Sequence, residues 1–268
     1  MIGRPGRLVL LGRSLSHSLS PRFQNAALAH AQIDDLHYEL LDVPLSALDD
    51  ALESLSRDRG AGNVTVPYKE RVFERCDRLT PLARRVGAVN TFWFERGELV
   101  GDNTDVGGVH HAVVQLLGAV PVGTTVGLLG AGGAAAAVLA AAEGWPHCRV
   151  LMANRTAERA DALCARFSNI AQRTDVDRLR REAELVVNAT PIGLRDDDLP
   201  IAPDDLRTDA AVLDLVYRAG ETAWVRAARA SGRRASDGLT MLVEQGALAF
   251  ERWFGMPPDR EIMWAAVR

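Results

Sequence analysis

Cysteine is scarce in this chain, with three residues in 268, at positions 76, 148 and 164. An odd count without close spacing excludes a disulfide framework and a thiolate zinc site, and points to reduced thiols in a cytoplasm. Histidine is also thin. The six residues form no H-x-H or H-E-x-x-H pattern, and the adjacent His110 and His111 would diverge by about 100° on a helix, so no metal is expected. Long apolar runs are missing. The longest, Ala134 to Ala142, has nine residues, against the roughly 20 needed to cross a bilayer, so no membrane partner is expected. The basic start (Arg4, Arg7) is followed only by Leu8 to Leu11, short of the roughly 7–15 apolar residues of a signal-peptide core. A cationic excess is absent too, with 31 Lys and Arg against 35 Asp and Glu and a net charge of -4. That balance argues against a nucleic-acid partner, and the pairs Arg84–Arg85, Arg180–Arg181 and Arg233–Arg234 read as solvated faces.

What remains is ordinary globular material, 47% hydrophobic and 25% charged, in a length that admits two modest domains or one large one. Strand and helix patterns alternate. Arg7–Leu11, His37–Val43 and Asn63–Val66 read as strands, with helices from Ser20 to Ala31, over Leu45–Leu55, and near 69–78 and 81–86. Ala88–Phe94 and Leu99–Gly101 suggest a hairpin about Arg96-Gly97. A helix near 105–117 opens a second series: strands Thr125–Leu129, Arg149–Ala153, Glu184–Asn188 and Ala211–Leu215, and helices Gly133–Ala142, Ala157–Phe167 and Thr222–Ala230. Helices near 239–253 and 258–267 close the chain. The continuous apolar strands suit a parallel sheet covered on both faces. With neither repeat nor linker, two domains must join through secondary structure near 102–120 and 235–240.

Gly130-Ala131-Gly132-Gly133-Ala134-Ala135 fits G-x-G-x-x-A between a strand and an Ala-rich helix. There the first glycine permits the turn, the second lets backbone approach a pyrophosphate, and the small sixth residue packs helix on strand. Where an NAD site carries an acidic residue at the end of the second strand, this chain has Asn154-Arg155-Thr156, with Arg159 one turn on. Two guanidiniums with no carboxylate at that strand end suit a 2′-phosphate, hence NADP. In the first half, Ser20 before Pro21 reads first as a helix cap, although Ser18 and Ser20 together could donate to one carboxylate. Lys69 falls at a helix start, where a cation is electrostatically misplaced, a hint that it serves another purpose.

These segments resemble the shikimate dehydrogenase family over most of the chain. The motifs stand in order: Ser18-Leu-Ser20-Pro21, Asn63 to Lys69 (NVTVPYK), Gly87 to Thr91 (GAVNT), Gly101 to Asp105 (GDNTD), the glycine loop, Asn154 to Thr156, Asn188 to Gly193 (NATPIG), Asp214 to Tyr217 (DLVY) and Asp237 to Gln245 (DGLTMLVEQ). The resemblance implies an α/β fold of two domains. An N-terminal α/β substrate domain, residues 1–104, takes back the C-terminal helices 238–268, and a Rossmann-type doubly wound parallel sheet, residues 105–237, binds NADP. It implies NADP-dependent interconversion of 3-dehydroshikimate and shikimate, in a monomer or homodimer. Lys69 and Asp105 are then the catalytic pair. Ser18 and Ser20 hold the substrate carboxylate, and Thr65, Asn90, Tyr217 and Gln245 hold ring hydroxyls or shape the pocket. The cofactor is lined by Gly130, Ala131, Gly132, Gly133, Ala134, Asn154, Arg155, Thr156, Arg159, Thr190, Leu215 and Gly238.

Two positions depart from the family pattern. A loop that often reads G-x-P-I-x-H-S is here Gly12-Arg13-Ser14-Leu15-Ser16-His17-Ser18, losing a proline and adding a cation. Leu215 stands where methionine is usual. Quinate and amino-substituted shikimate are alternative substrates with nearly the same motifs. A non-catalytic NADP-binding sensor would be expected to lose the Lys69–Asp105 pair, and a folate dehydrogenase would lack the S-x-S-P and G-D-N-T-D motifs.

Overall fold

The computed structural model describes residues 4–218 and 220–268. The chain divides into two compact units, Met1–Gly108 with Leu242–Arg268, and Val109–Met241. Both crossings fall inside helices, α5 (Asp105–Leu117) and α10 (Leu239–Phe254).

The first unit carries β1 (Arg7–Gly12), α1 (Ser20–His30), β2 (Tyr38–Asp42), α2 (Leu48–Arg57), β3 (Gly60–Val64), α3 (Lys69–Arg75), β4 (Arg78–Leu79), α4 (Pro81–Val86), β5 (Thr91–Glu95), β6 (Glu98–Asp102) and, after α10, α11 (Arg260–Ala265). Its mixed sheet runs β2-β1-β3-β5-β6-β4. β1 shows why the sheet is covered on both faces. Leu8 and Leu10 join Phe23, Phe250, Trp253 and Met263 in one core cluster. Val9 and Leu11 join Leu48, Leu52, Val72 and Phe92 in the other. Alternate residues of one strand thus feed two cores. β5 and β6 are antiparallel and meet through Arg96 and Gly97, both at positive φ, the two-residue turn whose twist matches a hairpin.

Two expected boundaries are corrected here. The strand foreseen over Asn63–Val66 is Gly60–Val64, and the Val66–Pro67 bond is cis. The helix foreseen with Ser20 as its cap has Leu19 in the cap position and no side-chain cap bond. Ser20 is its first residue and is buried. Ser18 Oγ instead accepts the Ser20 N–H at 3.2 Å, satisfying one of the backbone donors that the first turn of a helix leaves without an intrahelical partner.

The second unit carries β7 (Thr125–Leu129), α6 (Gly133–Ala142), β8 (Arg149–Ala153), α7 (Ala157–Arg166), β9 (Ala171–Arg173), α8 (Val176–Glu182), β10 (Leu185–Asn188), β11 (Ala211–Asp214), α9 (Ala223–Ala230) and β12 (Ala235–Ser236). Every pairing in its sheet is parallel and the order is β12-β11-β10-β7-β8-β9, so chain order reverses between β7 and β10. That is the doubly wound arrangement, with its switch point between β7 and β10, the place in such sheets where ligands bind at the carboxyl ends of the strands. Among the described residues, no helix is long and apolar enough to cross a membrane.

Candidate active site

Strand direction gathers the polar segments of the first unit at one sheet edge. β1 and β3 run parallel and end together, with Leu11 opposite Val64. β5 runs antiparallel to β3, so its first residue, Thr91, lies opposite Asn63, and β6 ends with Asp102 opposite Thr91. The connections bearing Ser18, Thr65, Lys69, Asn90 and Asp105 all leave from this edge.

Lys69 and Asp105, 36 positions apart, form an ion pair, Nζ to Oδ2, at 2.5 Å. The lysine side chain is 18% exposed and the carboxylate 4%, so solvent reaches the pair from the lysine side. Asp105 opens α5, where the helix dipole favours an anion. Lys69 opens α3, where the dipole disfavours a cation, and the carboxylate offsets that cost. The lysine backbone is also fixed, because its carbonyl accepts the Val89 N–H at 2.9 Å.

The second Asp105 oxygen accepts from Asn90 Nδ2 at 2.8 Å. The same amide group lies 3.1 Å from Gln245 Oε1 and 3.0 Å from Thr104 Oγ1, while Asn90 Oδ1 accepts the Thr104 N–H at 2.7 Å. Asn63 extends the network, donating to Thr91 Oγ1 at 3.1 Å and accepting from Tyr38 Oη at 2.9 Å. Asn63, Asn90, Thr91, Thr104, Asp105 and Gln245 are all buried. A buried network with its members mutually bonded is rigid, which fixes the direction of the Lys69 ammonium. Asp102, 1% exposed, takes the Thr80 hydroxyl at 2.6 Å, the Asn103 N–H at 2.8 Å and Arg252 Nε at 2.7 Å. It ties α10 to the strand that delivers Asp105. Sequence reasoning does not single out Asn63, Thr91, Thr104 or Asp102 as site residues, although each lies in a quoted motif.

The expected substrate residues are distributed differently. Ser18 is half-buried and Ser20 buried on the β1–α1 connection, and Thr65 is half-buried just past β3. Tyr217, half-buried, follows β11 and belongs to the second unit.

In the second unit the expected cofactor residues share the carboxyl edge. Gly130 has φ +110, and an added Cβ would lie 2.7 Å from the Ala189 carbonyl oxygen. Its N–H donates to the Ala153 carbonyl at 3.0 Å. Gly132 precedes α6, and a Cβ there would meet no atom within 4 Å. The first glycine is required by the fold, while the second leaves open space where a pyrophosphate could reach backbone and the helix start. Arg155, Thr156 and Arg159 are all exposed after β8. Thr156 occupies the cap position of α7 without a side-chain cap bond, and Asn154 Nδ2 donates to its carbonyl at 2.8 Å. The nearest carboxylate in sequence, Glu158, is exposed in the first turn of α7. These residues fit a dinucleotide with an additional phosphate.

Thr190, Leu215 and Gly238 are held by a buried pair. Asn188 Oδ1 accepts the Thr190 hydroxyl at 2.6 Å, and Asn188 Nδ2 donates to Asp214 Oδ1 at 2.9 Å. Asp214 also takes the Thr222 hydroxyl at 2.8 Å and the Val216 N–H at 3.1 Å. Burial pushes the Asp214 carboxyl above its ordinary range, against the pull of its bonds to Thr222, Asn188 and Val216. Burial raises Asp237 likewise. At Gly238 a Cβ would lie 2.3 Å from the Leu215 carbonyl oxygen, so only glycine lets the two segments close on one another.

Comparison with known proteins follows the same division. The model of the shikimate dehydrogenase substrate binding domain matches residues 10–92, and that of the shikimate 5'-dehydrogenase C-terminal domain matches residues 238–268. A curated relative, shikimate dehydrogenase (NADP(+)) of Alkalilimnicola ehrlichii, is 40% identical over 267 residues, covering 98% of each chain. Another of that description, from Methanopyrus kandleri, is 38% identical over 96% of this chain and 93% of its own. Among solved structures, shikimate 5-dehydrogenase from Thermus thermophilus, in complex with NADP(H) and shikimate, is 38% identical with a TM-score of 0.88, covering 98% of each chain.

Proposed function

The chain belongs to the shikimate dehydrogenase family, and from that premise we propose that it interconverts 3-dehydroshikimate and shikimate with NADP, a step toward the aromatic amino acids. The observation that carries this reading is the Lys69–Asp105 pair, fixed by Asn90 and open on the lysine side. The first unit is the substrate domain and the second the dinucleotide domain. The protein works in the cytoplasm as a monomer or homodimer, without a nucleic-acid partner.

When bound, the dinucleotide would supply the hydride in reduction as NADPH and accept it in oxidation as NADP+. Lys69 Nζ, as an ammonium, donates the proton that the ketone oxygen needs when hydride reaches its carbon. In the reverse direction the neutral amine takes the hydroxyl proton. Asp105 orients the ammonium through Oδ2, and Asn90 prevents the carboxylate from turning away. Ser18 and Ser20 hold the ring carboxylate, and Thr65, Asn90 and Gln245 bind ring hydroxyls or shape the pocket. The glycine segment Gly130 to Ala134 would hold the pyrophosphate, Asn154 to Arg159 the 2′-phosphate, and Thr190, Leu215 and Gly238 the remaining wall.

The test is an absorbance assay of NADP reduction with shikimate and quinate side by side, repeated with NAD. Shikimate with NADP should give the highest kcat/KM. Equal or faster turnover of quinate would reassign the substrate, and no turnover of either would leave a binding protein.

A further inference from the structure

We propose that Asp42 is a positioning residue for substrate binding: from the end of β2 it fixes the backbone that bears Ser18 and Ser20. The proposal rests on the reading of those serines as the carboxylate site.

Gly12 and Asp42 are register partners at the ends of β1 and β2. Beyond Gly12 the chain turns away through Ser14, whose φ is +58, a region that residues other than glycine seldom occupy. Proline, locked near a φ of about −65°, is excluded there. Asp42 holds this turn from both sides of Ser14. Its Oδ2 accepts the Leu15 N–H at 3.0 Å, and its Oδ1 faces Arg13 Nη1 at 3.9 Å. A bond from a backbone N–H to an ionised carboxylate is about twice as strong as a neutral one.

The constraint passes directly to the serines. The Leu15 carbonyl accepts the Ser18 N–H at 2.9 Å, and Ser18 Oγ accepts the Ser20 N–H at 3.2 Å. The second bond uses an oxygen lone pair of Ser18, so the hydroxyl proton is left to donate to a substrate oxygen. The Leu15 side chain is buried, the Arg13 N–H meets the Val66 carbonyl at 3.3 Å, and the Val43 N–H meets the Gly12 carbonyl at 3.2 Å. Leu15 is thus the hinge point between an acidic anchor and the hydroxyl pair. Asp42 itself is 43% exposed, so the side chain contributes little to the core and its loss should leave the fold intact.

Asp42→Ala should raise KM for shikimate about three- to tenfold, the worth of one hydrogen bond, with kcat within about twofold. KM for NADP should stay unchanged. Asp42→Asn keeps an oxygen that can accept from Leu15 and should recover most of the loss. Because Asp42 acts through the serines, Ser18→Ala combined with Asp42→Ala should be little worse than Ser18→Ala alone. Amide exchange at Leu15 and Ser18 should quicken in Asp42→Ala while the core strands stay protected. A raised KM in Ser18→Ala with an unchanged one in Asp42→Ala overturns the proposal alone, as does full additivity in the double variant. An unchanged KM in both Ser18→Ala and Ser20→Ala overturns the carboxylate reading and the proposal with it.

Discussion

Two glycines of one loop, two residues apart, should respond oppositely to the same added methyl. At Gly130 the backbone sits at φ +110, and the Cβ of an alanine would lie 2.7 Å from the Ala189 carbonyl oxygen. The forbidden dihedral costs about 1–3 kcal/mol and the overpacking a similar amount, so Gly130→Ala should lose about 2–6 kcal/mol. For a chain of this size that is a fall of about 4–24 °C in Tm. At Gly132 φ is −105 and no atom lies within 4 Å of the added Cβ. Gly132→Ala should therefore melt within about 0.5 kcal/mol of the parent. Its methyl would occupy the space assigned to the pyrophosphate, and KM for NADP should rise at least about tenfold, or about 1.4 kcal/mol. KM for shikimate should not move. The assay is thermal melting beside steady-state kinetics on both variants. Gly132→Ala with parental KM for NADP would refute the placement of the phosphates, and Gly130→Ala with parental Tm would refute the steric argument.

Lys69→Ala should lower kcat by roughly 10²–10⁴ with substrate KM little changed, and Asp105→Asn should resemble it. Because the two act as a unit, the double variant should be little worse than either, and near-parental turnover in Lys69→Ala would remove the lysine from the mechanism. NADP should be preferred over NAD at least about tenfold in kcat/KM, a preference that Arg155→Asp should erase or reverse and that rising salt should weaken. Equal use of both cofactors by the parent at low salt would contradict it. Trp145 Nε1 donates to His110 Nδ1 at 3.1 Å, which requires an unprotonated ring nitrogen, and burial followed by the charge of His111 holds His110 below its usual range. Below the unfolded value of about 6.5 the unfolded chain binds the proton more readily, so that stability is complete above this pH and declines as pH falls toward the lower folded value. Tm measured across that window should drop less in His110→Gln, and a parallel slope in both proteins would exclude His110 as the cause.

The fold is legible in the sequence where burial imposes a period and obscure where it does not. Val126 to Leu129, Val150 to Ala153 and Val186 to Val187 are apolar runs buried on both faces, and each forms a strand of the parallel sheet. β3 is hard to place because in its sequence, Gly60-Ala-Gly-Asn-Val, only Val64 is a usual strand residue. The reason lies in the neighbouring strand: a Cβ at Gly62 would be 2.0 Å from the Val9 carbonyl oxygen. α8 is faint because its seven residues bury only Leu179. Its one signal is Asp175, whose carboxylate accepts the Arg178 N–H at 2.7 Å as a cap. β4 and β12, of two residues each, carry no pattern that a sequence could reveal.

Site residues betray themselves chiefly by local misfit. A lysine beginning a helix and polar residues closing apolar strands are each unfavourable in isolation, and each costs free energy until a distant partner is supplied. The structure supplies Asp105 for Lys69, Asn188 for Asp214, and Thr91 and Tyr38 for Asn63. Those partners lie 25 to 36 positions from the residue they satisfy, and Gln245 lies 155 from Asn90. Only the sheet order brings them together, so misfit can mark the residues without naming their partners. Asp42 shows the converse. An acidic residue ending an edge strand is locally ordinary, and nothing in its neighbourhood of the sequence relates it to Leu15. Its role arises from the parallel pairing of β1 with β2, which sets a carboxylate beside a loop held at a φ that proline cannot adopt. A residue that positions others leaves its mark on their backbone geometry rather than in its own surroundings, and Ser14 at φ +58 is that mark.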